Sequence, residues 1–432
     1  MEDVPQSRYR LLLDMSRKIS GTLDLSAVLS HLLESLRTAV AYDAAGIFVL
    51  NRSVPLSASP GADVIAGVAR VGFEVPRLAD PMLRFGKGIT GHVIQTGEVL
   101  LAPDVRSDPR YVNGRDATLS EVAVPIISNG EVIGALNLES DRLDAFSADD
   151  VELLEFFASA AALAIEKALL HRQVVEKERL EQQLRVARDV QSSLLPAASP
   201  ELWGYEFAAL NLPSWTVGGD YYDYLPLPDG RLGVVIADVS GKGVPAALIM
   251  ATFRAALRTE ARSGRPIPEV ARAVNRTLLE SPGLSRFVTA VYGVLEPSAG
   301  TFDYVNCGHN PPVLVRAAGD RQSLESGGPA LGILADGAFE AGTIAIDPGD
   351  TLALYTDGVV EPADERDEEF GASRLEGVLL DSRRLPASRM VDSVVQATRL
   401  FSGREEYDDD FTLVIVRRLA NGRPATLAAR AS

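Results

Sequence analysis

Four aspartates in this sequence stand where an apolar run ends or a glycine turn begins, so each carboxylate hangs on a constrained stretch of backbone. Asp220 closes Val217-Gly218-Gly219-Asp220, with Asp223 three residues on. Asp238 follows Gly233-Val234-Val235-Ile236-Ala237 and opens into Val239-Ser240-Gly241-Lys242-Gly243. Asp357 ends Leu352-Ala353-Leu354-Tyr355-Thr356 and precedes Gly358, and Asp409 lies between Asp408 and Asp410 just ahead of the apolar run from Phe411. Any one of them could be an isolated turn residue, because Asp is favoured wherever a strand ends. Taken as a set they suggest chemistry. Several carboxylates gathered in a low-dielectric cleft repel one another unless cations neutralise them. Oxygen ligands without Cys or His select Mg²⁺ or Mn²⁺ over zinc. Two such ions can lower the pKa of a bridging water and neutralise a phosphoryl group under in-line attack, so the expected chemistry is metal-assisted hydrolysis of a phosphate ester.

The elements that carry these residues differ along the chain. Over about residues 8–170 a helical pattern (Leu11, Leu12, Met15, Ile19, then Ser26 as a cap ahead of Val28, Leu29, Leu32, Leu33 and Leu36) precedes short strand-like runs at 44–50, 99–102, 121–127 and 132–138. Ser128-Asn129-Gly130-Glu131 reads as a hairpin turn, since Asn-Gly readily takes positive φ. From Ser147, an N-cap followed by Asp149 and Asp150, a helical pattern runs without proline to Pro196. Within it Leu180, Leu184, Ala187, Gln191 and Leu194 repeat at steps of four and three. That spacing fits either a solvated helix with one buried stripe or the seam of a parallel dimeric coiled coil. Beyond Pro196 the chain becomes rich in strands, at 233–239, 288–295, 301–306, 313–316, 351–356 and 411–417, with helices at 245–262, 268–280 and 388–401. Strands and helices in grouped stretches predict an α+β sandwich, not a doubly wound sheet. The last dozen residues carry no period and are expected to be a disordered tail.

Composition sets outer bounds. The 432 residues hold 59 Asp plus Glu against 42 Lys plus Arg, a net charge of −17, which disfavours unspecific binding to nucleic acid or an anionic membrane. With 46% hydrophobic and 23% charged residues the chain is globular, of a length for two or three domains. One Cys excludes an intrachain disulfide framework, and with only four His (31, 92, 171 and 309) it argues against a Cys/His zinc site. No run of 18 apolar residues occurs, and Met1-Glu2-Asp3-Val4-Pro5 carries no signal pattern, so the expectation is a cytoplasmic chain.

Residue blocks 218–251, 287–315, 352–362 and 407–416 together resemble the bacterial stage II sporulation protein E family, metal-dependent serine/threonine phosphatases of the protein phosphatase 2C superfamily. The resemblance implies an αββα sandwich with two Mn²⁺ or Mg²⁺ ions in a cleft at one sheet edge. It implies Asp220, Asp238, Asp357 and Asp409 as metal ligands, with the Val239 carbonyl completing one shell and Asp410 as the second residue of an Asp-Asp pair. The stretches 85–112, 120–140 and 146–168 resemble a GAF domain, a sensing module with an antiparallel sheet and flanking helices. No Cys lies there to attach a bilin, and no motif marks cyclic-nucleotide binding. Ala187–Pro196 resembles the segment leading into the phosphatase core of stress-response regulators in that family, where a coiled coil transmits the signal. The implied organisation is an α+β multidomain chain: a GAF sensor over 8–165, a coiled-coil linker over 166–195, a phosphatase over 196–418 and a disordered tail over 419–432. The implied partners are a phosphorylated anti-sigma-factor antagonist with a STAS fold as substrate, an unidentified small-molecule or protein signal at the GAF domain, and a second copy of the chain at the linker. The competing reading is a non-catalytic switch that binds its partner through the phosphatase fold.

Other residues carry two readings each. Lys242 sits in a glycine-rich turn but lacks the phosphate-loop spacing, so it either approaches a substrate phosphate or is a solvated turn lysine. His309, in Asn306-Cys307-Gly308-His309, is an acid or a hydrogen-bonded turn residue, and Cys307 is a small packed residue. His92 and Tyr111 line a sensor pocket or pack the core. The acidic run Glu361–Glu369 is a solvated loop or a selector of basic protein substrates.

Overall fold

The computed structural model describes residues 25–50, 65–73, 86–281 and 286–420, with the side chains of 65–68, 169 and 172 excepted. The sequence pattern at Leu11–Ile19 and the expected tail from 421 onward lie outside the described residues. The chain divides into two compact units, residues 1–179 and 180–432.

In the first unit, α1 (Leu25–Leu36) buries Val28, Leu29, Leu32, Leu33 and Leu36 on one face. Ser26 falls inside this helix and is not its cap. A five-stranded antiparallel sheet follows, built from β1 (Ala44–Leu50), β2 (Ile65–Val71), β3 (Leu100–Ala102), β4 (Ser120–Ser128) and β5 (Glu131–Ser140) in the order β2-β1-β5-β4-β3. The β4–β5 turn has Asn129 at φ 52° and Gly130 at φ 82°, the positive values that Asn-Gly tolerates. One face of the sheet packs Val122, Val124, Leu136 and Leu138 against α1 and against Leu154, Phe157, Ala161 and Ile165 of α3 (Ala148–Ser192). The other face packs Phe48, Ala123 and Ala135 against Ile89, Val93 and Ile94 of α2 (Gly88–Thr96), which Gly97 ends in the left-handed region. Strand β2 and helix α2 were not legible as periodic segments. Ser147 and Asp150 cap α3 reciprocally: Ser147 N–H donates to Asp150 Oδ2 at 2.9 Å, and Asp150 N–H to Ser147 Oγ at 3.3 Å.

Helix α3 ends at Ser192, so the expected seam does not continue to Leu194. Leu194 packs against the core of the second unit, where Arg254 Nε also donates to its carbonyl at 2.8 Å, and Gln191 turns to the backbone of Gly218. The C-terminal end of the apparent heptad pattern is therefore spent within the second unit.

That unit is a sandwich. The first sheet has the order β13-β10-β9-β8-β7, from β7 (Tyr221–Pro226), β8 (Leu232–Val239), β9 (Val288–Glu296), β10 (Thr301–Cys307) and β13 (Gly327–Gly328), with β14 (Gly342–Ala345) also on β10. The second has the order β12-β11-β15-β16-β6, from β6 (Tyr205–Leu212), β11 (Val313–Val315), β12 (Arg321–Ser323), β15 (Thr351–Tyr355) and β16 (Phe411–Arg418). Alternation explains the four layers. In β8, Val234 and Ile236 join Leu352, Leu354, Val414 and Val416 between the sheets, while Val235, Ala237 and Val239 face α4 (Val244–Ala261) and α5 (Ile267–Leu279). On the far side Ala353, Leu413 and Ile415 pack against α6 (Gly371–Ser382) and α7 (Ala387–Ser402). Strands buried on both faces read as continuous apolar runs, which is why β8, β15 and β16 stand out in the sequence.

Candidate metal centre and active site

Antiparallel pairing brings the four aspartates to one end of the sandwich. Tyr221, which starts β7, pairs with Ala237 near the end of β8, so Asp220 and Asp238 share one end of the first sheet. Tyr355, the last residue of β15, pairs with Leu413 near the start of β16, so Asp357 and Asp409 share one end of the second. The two ends meet where Asp220 Oδ2 accepts the hydroxyls of Thr356 at 2.7 Å and Thr412 at 2.5 Å.

Asp238, Asp357 and Asp409 line a cavity of about 240 Å³ together with Val239, Lys242 and His309. Asp220 lies behind it, 4% exposed, with Oδ1 buried and unpartnered among the described residues. Burial, then the charges of Asp238 and Asp410, push the Asp220 carboxyl up. Asp238 is pushed up to about 7 by burial, then by Asp357 and Asp409, and Asp357 rises by burial and then by Asp409. Such mutual repulsion is what a bound cation relieves. Asp357 and Asp409 each turn Oδ1 onto the next residue's N–H at 2.8 Å, and Asp409 Oδ2 stands 3.0 Å from Lys242 Nζ.

The donor set fits hard divalent cations: it is all oxygen, and it includes a buried orphan carboxylate oxygen. A Cβ on Gly219 would stand 2.8 Å from the Val239 carbonyl oxygen and 3.3 Å from Asp238 Oδ1, so only glycine lets this loop lie against both. Among the described residues, no three carboxylate, imidazole or thiolate groups stand close enough to enclose an ion as they are; the acids ring the cavity without closing on one point.

The residues that organise the site were marked in the sequence, where at all, for other reasons: Asp410 as the second residue of the Asp-Asp pair that the resemblance implies, and Gln191 as a seam position. Asp410 is buried and spends its oxygens on backbone: Oδ1 accepts from Ser214 N–H at 2.8 Å, and Oδ2 from Gly219 N–H at 2.7 Å. A Cβ on Gly218 would come within 2.1 Å of Asp410 Oδ2. Gln191, in the last turn of α3, brackets Gly218, donating from Nε2 to its carbonyl at 2.6 Å and accepting its N–H at 3.1 Å. Thr356, directly after β15, and Thr412, inside β16, are fully buried polar residues beside apolar runs, and that mismatch was the only available hint. Asp223 is not part of the cavity wall; it is buried and pairs with Arg258 Nε at 2.7 Å.

The remaining candidates resolve by environment. His309 is 6% exposed, its Nδ1 lies 2.8 Å from the Thr289 hydroxyl, and burial pulls it down to about 4, so it is neutral and serves as a hydrogen-bonded turn residue. Cys307 is buried and pushed up to about 12 by that burial, the state of an inert packed thiol. Lys242 is held between Asp409 and the Asp408 carbonyl, 2.7 Å from Nζ. In the acidic run, Glu361 is pushed up by partial burial and then by Asp357 and Asp409, while Asp364 turns back to accept the N–H groups of Arg366 and Glu368.

Residues 228–419 match the family model of stage II sporulation protein E, and residues 22–166 that of the GAF domain. The chain thus carries a GAF domain and a region similar to stage II sporulation protein E. Protein IcfG of Synechocystis sp. is 32% identical over 220 residues, 45% of this chain and 35% of that protein. Phosphoserine phosphatase RsbU of Bacillus subtilis is 27% identical over 245 residues, 56% of this chain and 72% of that protein. Among solved structures, the SiaA-PP2C domain of Pseudomonas aeruginosa superposes with a TM-score of 0.50 at 24% identity, over 56% of this chain and all but 2% of its own, and shares the fold (98% covered). The chain spans about a third of the length of IcfG, at 35%.

Proposed function

We propose that this chain is a metal-dependent phosphoprotein phosphatase, hydrolysing phosphoserine or phosphothreonine under the control of its GAF domain. The observation that carries the reading is the cavity shared by Asp238, Asp357 and Asp409, with Asp220 tied behind it to Thr356 and Thr412. Asp220, Asp238, Asp357, Asp409 and the Val239 carbonyl would hold two Mn²⁺ or Mg²⁺ ions. Such ions, when bound, supply an acidified water and neutralise charge on the phosphoryl group. The chain's own part is positional. Asp410 and Gln191 hold the loop that carries Asp220, the threonines orient its carboxylate, and Lys242 sets a cation at the cavity mouth for the phosphate to approach.

Phosphoserine as substrate is supported by the similarity to phosphoserine phosphatase RsbU. The family resemblance supports an anti-sigma-factor antagonist with a STAS fold as the phosphoprotein, in partner-switching control of transcription. A homodimer through α3 is supported by Leu163, Leu170 and Val174, each more than half exposed on that helix. No helix among the described residues is long and apolar enough to cross a membrane, and the proposed place of action is the cytoplasm.

The test is hydrolysis of p-nitrophenyl phosphate and of a phosphoserine peptide by the full chain, with and without Mn²⁺. Manganese-dependent release of phosphate is the expected result. Binding of a phosphoprotein with no turnover, in the full chain and also in one lacking residues 1–170, would favour the non-catalytic switch.

A further inference from the structure

The cavity that Asp238, Asp357 and Asp409 share is bordered on one side by apolar side chains that hydrolysis of a phosphate ester does not require. At about 240 Å³ it is smaller than the pockets of about 300–1,000 Å³ that enclose a drug-sized ligand, so most of a protein substrate must rest on its rim. Phe287 belongs to the cavity wall and is still 39% exposed. It is tied to the turn at Ser240–Gly243 by two hydrogen bonds: Ser240 N–H donates to the Phe287 carbonyl at 3.0 Å, and Phe287 N–H donates to Ser240 Oγ at 3.0 Å. At the other end of that turn a Cβ on Gly243 would lie 3.9 Å from the indole of Trp215, which is 62% exposed, and Val244 follows, also exposed, as the first residue of α4.

The band continues past Phe287. Leu331 exchanges both backbone hydrogen bonds with Val288, at 2.9 and 2.8 Å, and this pairing sets Ile333 and Leu334 beside Phe287, 50% and 54% exposed. A Cβ on Gly332 would stand 3.8 Å from the Phe287 Cα. The loop is held rigidly from below. Asn275 of α5 is buried and spends its amide there: Oδ1 accepts the N–H of Gly332 at 2.7 Å, and Nδ2 donates to the Leu334 carbonyl at 2.8 Å. Arg286 secures the neighbouring turn, donating from Nη1 to the Ser240 carbonyl at 3.1 Å. Contiguous exposed apolar surface is a liability in a soluble domain and marks a contact site, and a contact surface fixed in advance loses less entropy when it binds.

We propose that this band docks the phosphoprotein: its phosphoserine enters the cavity, and an apolar residue next to the phosphoserine packs against Trp215, Phe287, Ile333 and Leu334. The inference rests on the phosphatase reading and specifies which substrates that site accepts. Continuity with the cavity decides the occupant. A chain that places its phosphoryl group beside Asp238 and Lys242 brings its adjacent residues over Phe287, because one residue of extended chain spans only about 3.3–3.6 Å. A polar neighbour would lose water there without gaining a partner, whereas an aliphatic or aromatic one buries its own apolar area together with that of the band. Recognition by charge alone has little to hold: among the described residues lining the cavity only Lys242 is cationic, and Asp409 already engages it.

The test compares manganese-dependent turnover by the full chain of p-nitrophenyl phosphate and of two phosphoserine peptides equal in length and charge, one with Leu and the other with Ala on both sides of the phosphoserine. The expected kcat/KM is about tenfold or more higher for the Leu peptide, chiefly through KM. Trp215→Ser and the double variant Ile333→Ser, Leu334→Ser should each shrink that preference to about twofold or less, and should lower kcat/KM for the Leu peptide more than for p-nitrophenyl phosphate. Equal kcat/KM for the two peptides, with p-nitrophenyl phosphate still hydrolysed, overturns this inference and leaves the phosphatase reading standing. Failure to hydrolyse any of the three removes that reading and this inference with it. A preference retained in both variants takes the band out of substrate docking. So does a change of sedimentation in the variants with the preference intact, which would assign the band to contact between copies. Should one variant fail to fold, the other variant and the two peptides on the native chain decide.

Discussion

Asp410 Oδ2 accepts the N–H of Gly219 at 2.7 Å, joining the entry of β16 to a loop 191 positions earlier in the chain. This carboxylate is spent on backbone, in contrast to its neighbour Asp409, which faces the cavity. Asp410→Ala should therefore remove the support of the Asp220 loop and leave buried N–H groups unpaired, at about 1–3 kcal/mol of stability. Gly218→Ala drives a Cβ into the same carboxylate. Both variants should lose about tenfold or more of manganese-dependent turnover, read by p-nitrophenyl phosphate hydrolysis alongside thermal melting.

Asp238→Asn and Asp409→Asn should abolish manganese-dependent turnover while leaving the melting temperature of the metal-free chain unchanged or higher. The reason is electrostatic: Asp238 is pushed up by burial and by Asp357 and Asp409, so an amide relieves repulsion. Calorimetry should find manganese uptake reduced in both. Full activity in either variant would remove that residue from the ligand set.

Gln191→Ala breaks both hydrogen bonds between α3 and Gly218, two residues from Asp220. At about 1 kcal/mol each, their loss should lower turnover by up to about thirtyfold. Circular dichroism should show the helix retained, and a kinetic profile equal to that of the native chain would separate the helix end from the site.

In the first unit Glu121 of β4 and Glu139 of β5, buried partners across the antiparallel ladder, make a pH prediction. Glu121 is raised to about 8 in the folded chain, by burial and then by Glu139, against the hydrogen bonds of Asn137 and Thr90. An unfolded glutamate titrates at about 4.3. Between these values the folded state holds the extra proton, so this group's stabilising contribution is complete at low pH and is lost as pH rises toward about 8. Melting of the full chain should show the transition of the first unit falling in temperature over that interval, and Glu121→Gln should flatten the dependence.

The apolar runs at β8, β15 and β16 were legible because strands buried on both faces leave no alternation to blur them. The aspartates at their ends were legible because rigid carboxylates beside glycine are conspicuous in a list of residues. Family resemblance added the pairing of those blocks into one sandwich. By contrast β2, α2 and the Asn137 acid pair were invisible: Glu121 and Glu139 read as ordinary polar positions in alternating strands, and only pairing across the ladder makes them neighbours.

Sequence by itself determined which side chains could hold cations and which segments could be strands, since residue type and local period are properties of the chain read in order. Tertiary structure decided that Asp410 and Gln191 serve the backbone of the Asp220 loop, that Leu194 leaves the helical seam for the core, and that two glutamates 18 positions apart share one buried face. Contacts between residues far apart in sequence depend on register and layer packing, and no local pattern encodes the partner.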